Sequence, residues 1–101
     1  MFVHHVFFWL KNNLTEAEIL KFEKGVKSLL EIKDHFITAN VGKPASTRRT
    51  VIDSTYSYDL LLVFSDLKNH DAYQVHEIHE KFVNECKDLW EKVLIFDSES
   101  F

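Results

Sequence analysis

Cysteine is almost absent from this chain of 101 residues: Cys86 stands alone, so no internal disulfide can staple the fold. Glycine occurs only at positions 25 and 42, which leaves no glycine-rich loop to cradle a phosphate. Proline occurs once, at Pro44. Positive charge is not in excess either. Twelve basic residues face sixteen acidic ones, a net charge of −4, which argues against nucleic acid or an anionic membrane as the main partner. No apolar run is long enough to span a bilayer. The longest, from Phe2 to Leu10, is broken by His4 and His5 and lacks the basic start and small-residue cleavage site of a secretory signal. These absences together suggest a cytoplasmic protein whose one thiol sits reduced in the core.

What the chain does have is apolar and aromatic mass. It is 46% hydrophobic and 14% aromatic, with nine Phe, so it can bury a core and reads as one domain over residues 1–101. Residues 2–10 are β-formers greasy on both faces, a strand that wants cover on each side. Thr15 and Glu18 form a capping box that starts a helix with Ile19, Phe22, Val26 and Leu29/Leu30 as its buried stripe, fading near Lys33-Asp34. Gly25 weakens that helix slightly. A second strand spans His35 to Val41. The loop over 43–55 carries Arg48 and Arg49, a pair that reads as solvated rather than as an anion site. A third strand covers Tyr56 to Phe64, with Tyr56, Tyr58, Leu60, Leu62 and Phe64 on one face. Ser65-Asp66 caps a short helix over 67–75, a turn holds His76 to His79, and a longer helix runs to about residue 91. Val93 to Asp97 is the fourth strand.

That order, β-α-β-β-α-β, is the ferredoxin-like arrangement of an α+β protein with a four-stranded antiparallel sheet. Two helical segments can cover only one sheet face. Phe7, Trp9, Leu61 and Val63 crowd the other, so the expected partner is a second copy of the chain, docked sheet to sheet as a homodimer.

The chemistry concentrates in Tyr73-Gln74-Val75-His76-Glu77-Ile78-His79-Glu80-Lys81-Phe82. His79 opens an apolar helical stripe continued by Phe82/Val83, Cys86, Leu89/Trp90 and Val93. Tyr73 and His76 precede it at three-residue steps and share its side if the turn is helical. A phenol and an imidazole delivered to an apolar pocket suit acid–base work, and equally suit a buried hydrogen-bond network. No metal is expected: His76 and His79 stand three apart, not the four a zincin helix requires, and no third ligand is placed. Cys86 has no basic neighbour to make it a nucleophile. No cofactor is implied.

Val3-His4-His5-Val6-Phe7-Phe8-Trp9-Leu10-Lys11 resembles the first strand of the stress-responsive A/B barrel domain. Val41 to Ser46 is similar to its second-strand exit, and Tyr58 to Phe64 to its third strand. Ala72 to Val83 resembles its Tyr-x-x-His-Pro-x-His signature, with Glu77 standing where the family usually has Pro. The resemblance covers essentially the whole chain and implies a dimeric α+β barrel. In a plant polyketide-cyclase branch of the family, a Tyr and the last His of the signature act as an acid–base pair. That resemblance implies catalytic roles for Tyr73 and His79. It also implies that His4 lies nearby and that Trp90 lines the cavity, while Tyr58 stands where the cyclase branch carries another His. The expected pocket is lined by His4, Val6, Phe8, Tyr58, Leu60, Tyr73, His79 and Trp90, with His76 at its edge, and takes a small hydrophobic or aromatic, polyketide-like ligand. The alternatives are a non-catalytic dimeric module with structural histidines and, last, a haem-handling α/β-barrel monooxygenase in which a helix histidine ligates iron.

Overall fold

Strand β1 (Phe2–Leu10) lies inside the sheet, and the rest of the chain is arranged around it in the computed structural model, which describes residues 1–101. The sheet order is β2-β3-β1-β4, with β2 at Thr38–Gly42, β3 at Tyr58–Phe64 and β4 at Trp90–Glu99, every neighbouring pair antiparallel. Three α-helices connect them: α1 (Glu16–Ser28), α2 (Leu67–Gln74) and α3 (Glu77–Cys86). No helix is long and apolar enough to cross a membrane.

The helix starts follow capping chemistry. Thr15 Oγ1 accepts from the Glu18 amide at 3.2 Å while Glu18 Oε1 accepts from the Thr15 amide at 2.9 Å, so two otherwise orphaned donors are satisfied. Asp66 accepts from the Asn69 amide at 2.9 Å and begins α2.

One face of the sheet carries the core. Phe2, Val6 and Phe8 of β1 and Leu60, Leu62 and Phe64 of β3 are buried against Phe22 and Val26 of α1, Tyr73 of α2, and Phe82 and Cys86 of α3. Phe8 is the hub of an aromatic cluster, its ring 5.2 Å from Phe22, 5.9 Å from Phe82 and 5.3 Å from Trp90. α1 and α3 meet where α1 has no side chain: a Cβ at Gly25 would stand 2.8 Å from Cys86 Sγ and 3.0 Å from Phe82 Cδ1.

The other face has no cover within the chain. Val3, His5, Phe7 and Trp9 of β1, Leu61 and Val63 of β3, and Leu94 and Phe96 of β4 line it, and Phe96 is 60% exposed. His5 Nε2 reaches Asp59 Oδ2 there at 2.9 Å.

Element boundaries depart from the sequence reading in four places. The second strand begins at Thr38 and ends at Gly42, not His35 to Val41, because pairing with β3 starts only at Thr38 opposite Val63. The last helix stops at Cys86, and after the single 3-10 turn Lys87–Leu89 the backbone of Trp90 is extended, so Trp90 begins β4 instead of closing a helical stripe. β4 then runs on to Glu99, because its backbone pairs with β1 along its whole length, down to Phe2 opposite Glu99. Tyr56 lies outside β3, and its ring packs 5.0 Å from Phe7 on the uncovered face, away from Tyr58. Its place in the alternation is lost in the bend that precedes the strand.

Candidate functional site

Between α3 and the helix-facing side of β1 and β4 lies a cavity of about 270 Å³. Val6 and Phe8 form its floor, Trp90, Val93 and Ile95 its β4 wall, and Phe82 and Val83 its helix wall. Ile95 is 48% exposed, because no helix reaches over β4, and so it marks the mouth. Gln74, His79 and Tyr73 are the residues with polar groups that line it. A shallower groove of about 680 Å³ between α1 and α3 is larger but lined by Lys21, Lys24, Lys81, Glu31 and Glu85, which water solvates well.

The Tyr73–His79 pair depends on a break in the chain. α2 ends at Gln74, Val75 turns, and His76 is extended (φ −65°, ψ 141°) before α3 starts at Glu77. Glu77, a good helix former, does not carry helix through the turn, because the His76 imidazole has become the N-cap: its Nδ1 accepts from the Ile78 amide at 3.1 Å. His76 is thereby committed outside the cavity. The break folds α3 back so that the rings of His79 and Tyr73 meet edge to face, 5.0 Å between centroids.

Electrostatics divide labour between the two. Burial is the main cause that holds the His79 pKa below its ordinary value of 6.5; the charge of His4 adds to it, while Glu80 and the Gln74 carbonyl oppose it. His79 is therefore a neutral imidazole near pH 7, with a lone pair to offer. Burial pushes the Tyr73 phenol above its ordinary range, so it stays protonated and can only donate or accept a hydrogen bond. Tyr73 is 1% exposed, its hydroxyl pairs with no protein group, and the residue lines the cavity.

Of the residues expected from sequence, Val6, Phe8, Leu60, Tyr73, His79 and Trp90 come together around this space. His4, Tyr58 and His76 do not line it. His4 points along the same sheet face but is spent on Asp97, its Nδ1 lying 2.6 Å from Asp97 Oδ1, and burial lowers its pKa despite that carboxylate. Tyr58 lies toward β2, donating to Glu23 Oε2 at 2.6 Å with the Lys43 ammonium 5.5 Å from its ring centroid. Gln74 and Asp97 are additions that sequence reasoning missed. Gln74 carries no chemical signature, and the tie of Asp97 to His4 follows only once the β1–β4 register is known.

The sheet order, with all helices on one face, defines a ferredoxin-like α+β protein with the Tyr73–His79 pair on the helix side. The chain belongs to the stress responsive A/B barrel domain family, the description of which matches residues 2–100. It is similar to olivetolic acid cyclase of Cannabis sativa, 26% identical over 94 residues that cover 93% of this chain and 91% of that protein. Among solved structures it resembles a dimeric ferredoxin-like protein of unknown function from Thermobifida fusca, with 11% identity, a TM-score of 0.76, and 96% of this chain and 88% of that one covered. It also resembles the hydroxynitrile lyase of Passiflora edulis, with 17% identity, a TM-score of 0.75, and 99% and 95% covered.

Proposed function

We propose that this protein binds a small aromatic or polyketide-like carbonyl compound in the cavity and promotes its enolisation, the step common to cyclisation and isomerisation of such substrates. The observation that carries this reading is the Tyr73 phenol, its hydroxyl paired with no protein group, set edge to face against a neutral His79 at an apolar cavity. Neutral His79 takes a proton from the carbon α to the carbonyl. The Tyr73 hydroxyl donates to the carbonyl oxygen as it becomes an enolate, and the apolar walls keep water from competing. Size limits the ligand: an engineered 150 Å³ cavity holds about one benzene, so about 270 Å³ suits a single ring with a short side chain. The two similar proteins named as a cyclase and a lyase support small-molecule chemistry in this family.

The reading extends to the assembly. Two copies pair through the uncovered sheet face, which no single chain of this size can leave wet without cost. The Thermobifida fusca neighbour, described as dimeric, supports it. The lone buried thiol Cys86 suits a reducing, cytoplasmic setting.

Deuterium exchange at the benzylic carbon of phenylacetone, followed by NMR in D₂O, tests the chemistry, and Trp90 fluorescence reports occupancy. The native protein should accelerate exchange with saturation. His79→Gln should lose about 10²–10⁴-fold of that rate and Tyr73→Phe about 10²–10³-fold. Tyr58→Phe, which changes a group outside the cavity, should leave it unchanged. Exchange in the native protein no faster than in buffer, or equal in His79→Gln, would overturn the reading.

A further inference from the structure

Beyond the cavity, on the same sheet face, three potential metal ligands from three different elements converge. His4 on β1 and Asp97 on β4 are register partners, and His70 stands over them on α2. One donor atom from each lies within 4.8 Å of the other two. The rings of His4 and His70 are 4.8 Å apart between centroids, and both Nε2 atoms turn to the same Gln74 side-chain nitrogen, at 3.5 Å and 3.4 Å. A carboxylate meets each Nδ1: Asp97 on His4 at 2.6 Å and Asp71 on His70 at 3.1 Å. The one tautomer that satisfies this network puts the proton of each imidazole on Nδ1 and leaves two neutral Nε2 lone pairs facing one amide. Phe2 and Phe64 hold His70 in place, their rings 4.6 Å and 5.5 Å from its own.

We propose that His4, His70 and Asp97 bind a divalent cation of the zinc type. Two imidazole nitrogens and one carboxylate oxygen match that ion, whereas magnesium and calcium select all-oxygen sets. Zinc–ligand bonds of about 2.0–2.1 Å put tetrahedral donors about 3.3 Å apart, so the three atoms must close by at most about 1.5 Å. Asp97, its side chain 41% exposed, has the freedom to make that movement. As the cation enters, Asp97 leaves the His4 Nδ1–H for the ion while the imidazole keeps that proton, and because both imidazoles must be neutral to ligate through Nε2, uptake weakens as pH falls. Gln74, its carboxamide turned over about the Cγ–Cδ bond, presents its carbonyl oxygen as a fourth donor. The sequence reading expected no metal because it weighed only His76 and His79; the site is assembled by strand register and by α2, neither visible as a motif. The bound ion would tie the edge strand β4 to β1 and α2 beside the cavity. This inference does not depend on the proposed enolisation.

The test is zinc uptake by the full chain after chelation and dialysis, read by native mass spectrometry and by calorimetric titration with zinc chloride. One zinc per chain is expected, with no calorimetric signal from magnesium chloride. His70→Gln and Asp97→Asn, neither at a fully buried position, should each weaken zinc by at least about tenfold while keeping the native near-ultraviolet circular dichroism. His76→Gln should not, although His76 and His35 form another imidazole pair, 6.1 Å between centroids. No uptake at tenfold zinc excess, unchanged affinity in both first variants, or loss in His76→Gln alone would each overturn the proposal.

Discussion

Gly25→Ala sets two effects of opposite sign against each other, and the structure decides between them. In a helix interior Ala is favoured over Gly by about 1 kcal/mol, so sequence alone predicts stabilisation. The added methyl, however, arrives 2.8 Å from Cys86 Sγ and 3.0 Å from Phe82 Cδ1. Neither can retreat: Cys86 is 0% and Phe82 4% exposed, and the Phe82 ring is wedged against Phe8, Phe22 and Trp90. Reaching ordinary contact means moving α1 and α3 apart by several tenths of an ångström, and overpacking of that kind costs about 1–3 kcal/mol. The net expectation is destabilisation of about 1 kcal/mol, or about 4–8 °C in Tm for a domain of this size. Cys86→Ala removes the obstructing sulfur. Added to Gly25→Ala, it should recover part of the helix gain, the Phe82 ring edge at 3.0 Å still resisting the methyl, and give a favourable coupling of about 1 kcal/mol in a double-mutant cycle. Urea unfolding at one fixed protein concentration measures all four variants. A Gly25→Ala protein more stable than the parent, with no coupling to Cys86→Ala, would refute the reasoning.

The uncovered sheet face and the buried histidines give two more expectations. Val63→Glu should convert dimer to monomer in analytical ultracentrifugation, since the new charge faces only Val3 and Thr38 across the sheet and loses several kcal/mol if buried unpaired; a dimer unchanged at micromolar concentration would refute pairing through this face. Trp9→Glu is the weaker test, because the Lys92 ammonium, 4.5 Å from the Trp9 ring centroid, would neutralise it. His4 and His79 both have folded-state pKa values held below 6.5 mainly by burial, so the unfolded chain takes up protons first as the pH falls. Their contribution is full above pH 6.5 and is lost as the pH falls from there through the folded-state values; a urea midpoint that stays level or rises between pH 7.5 and pH 5.5 would contradict this.

The fold was legible because periodicity, capping and burial agree. Thr15-x-x-Glu18 announced a helix start, and the two-residue alternation of β3 announced its inward row Tyr58, Leu60, Leu62 and Phe64. The end of the last helix was not legible, because Trp90 and Val93 continue a helical spacing by coincidence. What settles their place is the backbone pairing of Leu10 with Trp90 and Phe8 with Val93, a fact about β1 rather than about residues 90–93. The candidate site divides the same way. Tyr73 and His79 are close in sequence, and their meeting needed only a turn. The commitment of Tyr58 to Glu23, of His76 to its helix cap and of His4 to Asp97 each rests on a partner or a backbone break that no local pattern encodes.

The position of β1 also sets a schedule for folding. It is made before both of its neighbours in the sheet, residues 58–64 and 90–99. Until those segments leave the ribosome, Phe2, Val3, Val6, Phe7, Phe8, Trp9 and Leu10 form the most apolar β-prone stretch of the chain with nothing to pair against. Non-local pairing of this kind is slow, and unpaired strands are sticky while they wait. Residues 2–10 therefore carry the greatest aggregation hazard of this domain during synthesis, and that hazard ends only when β4 docks beside them.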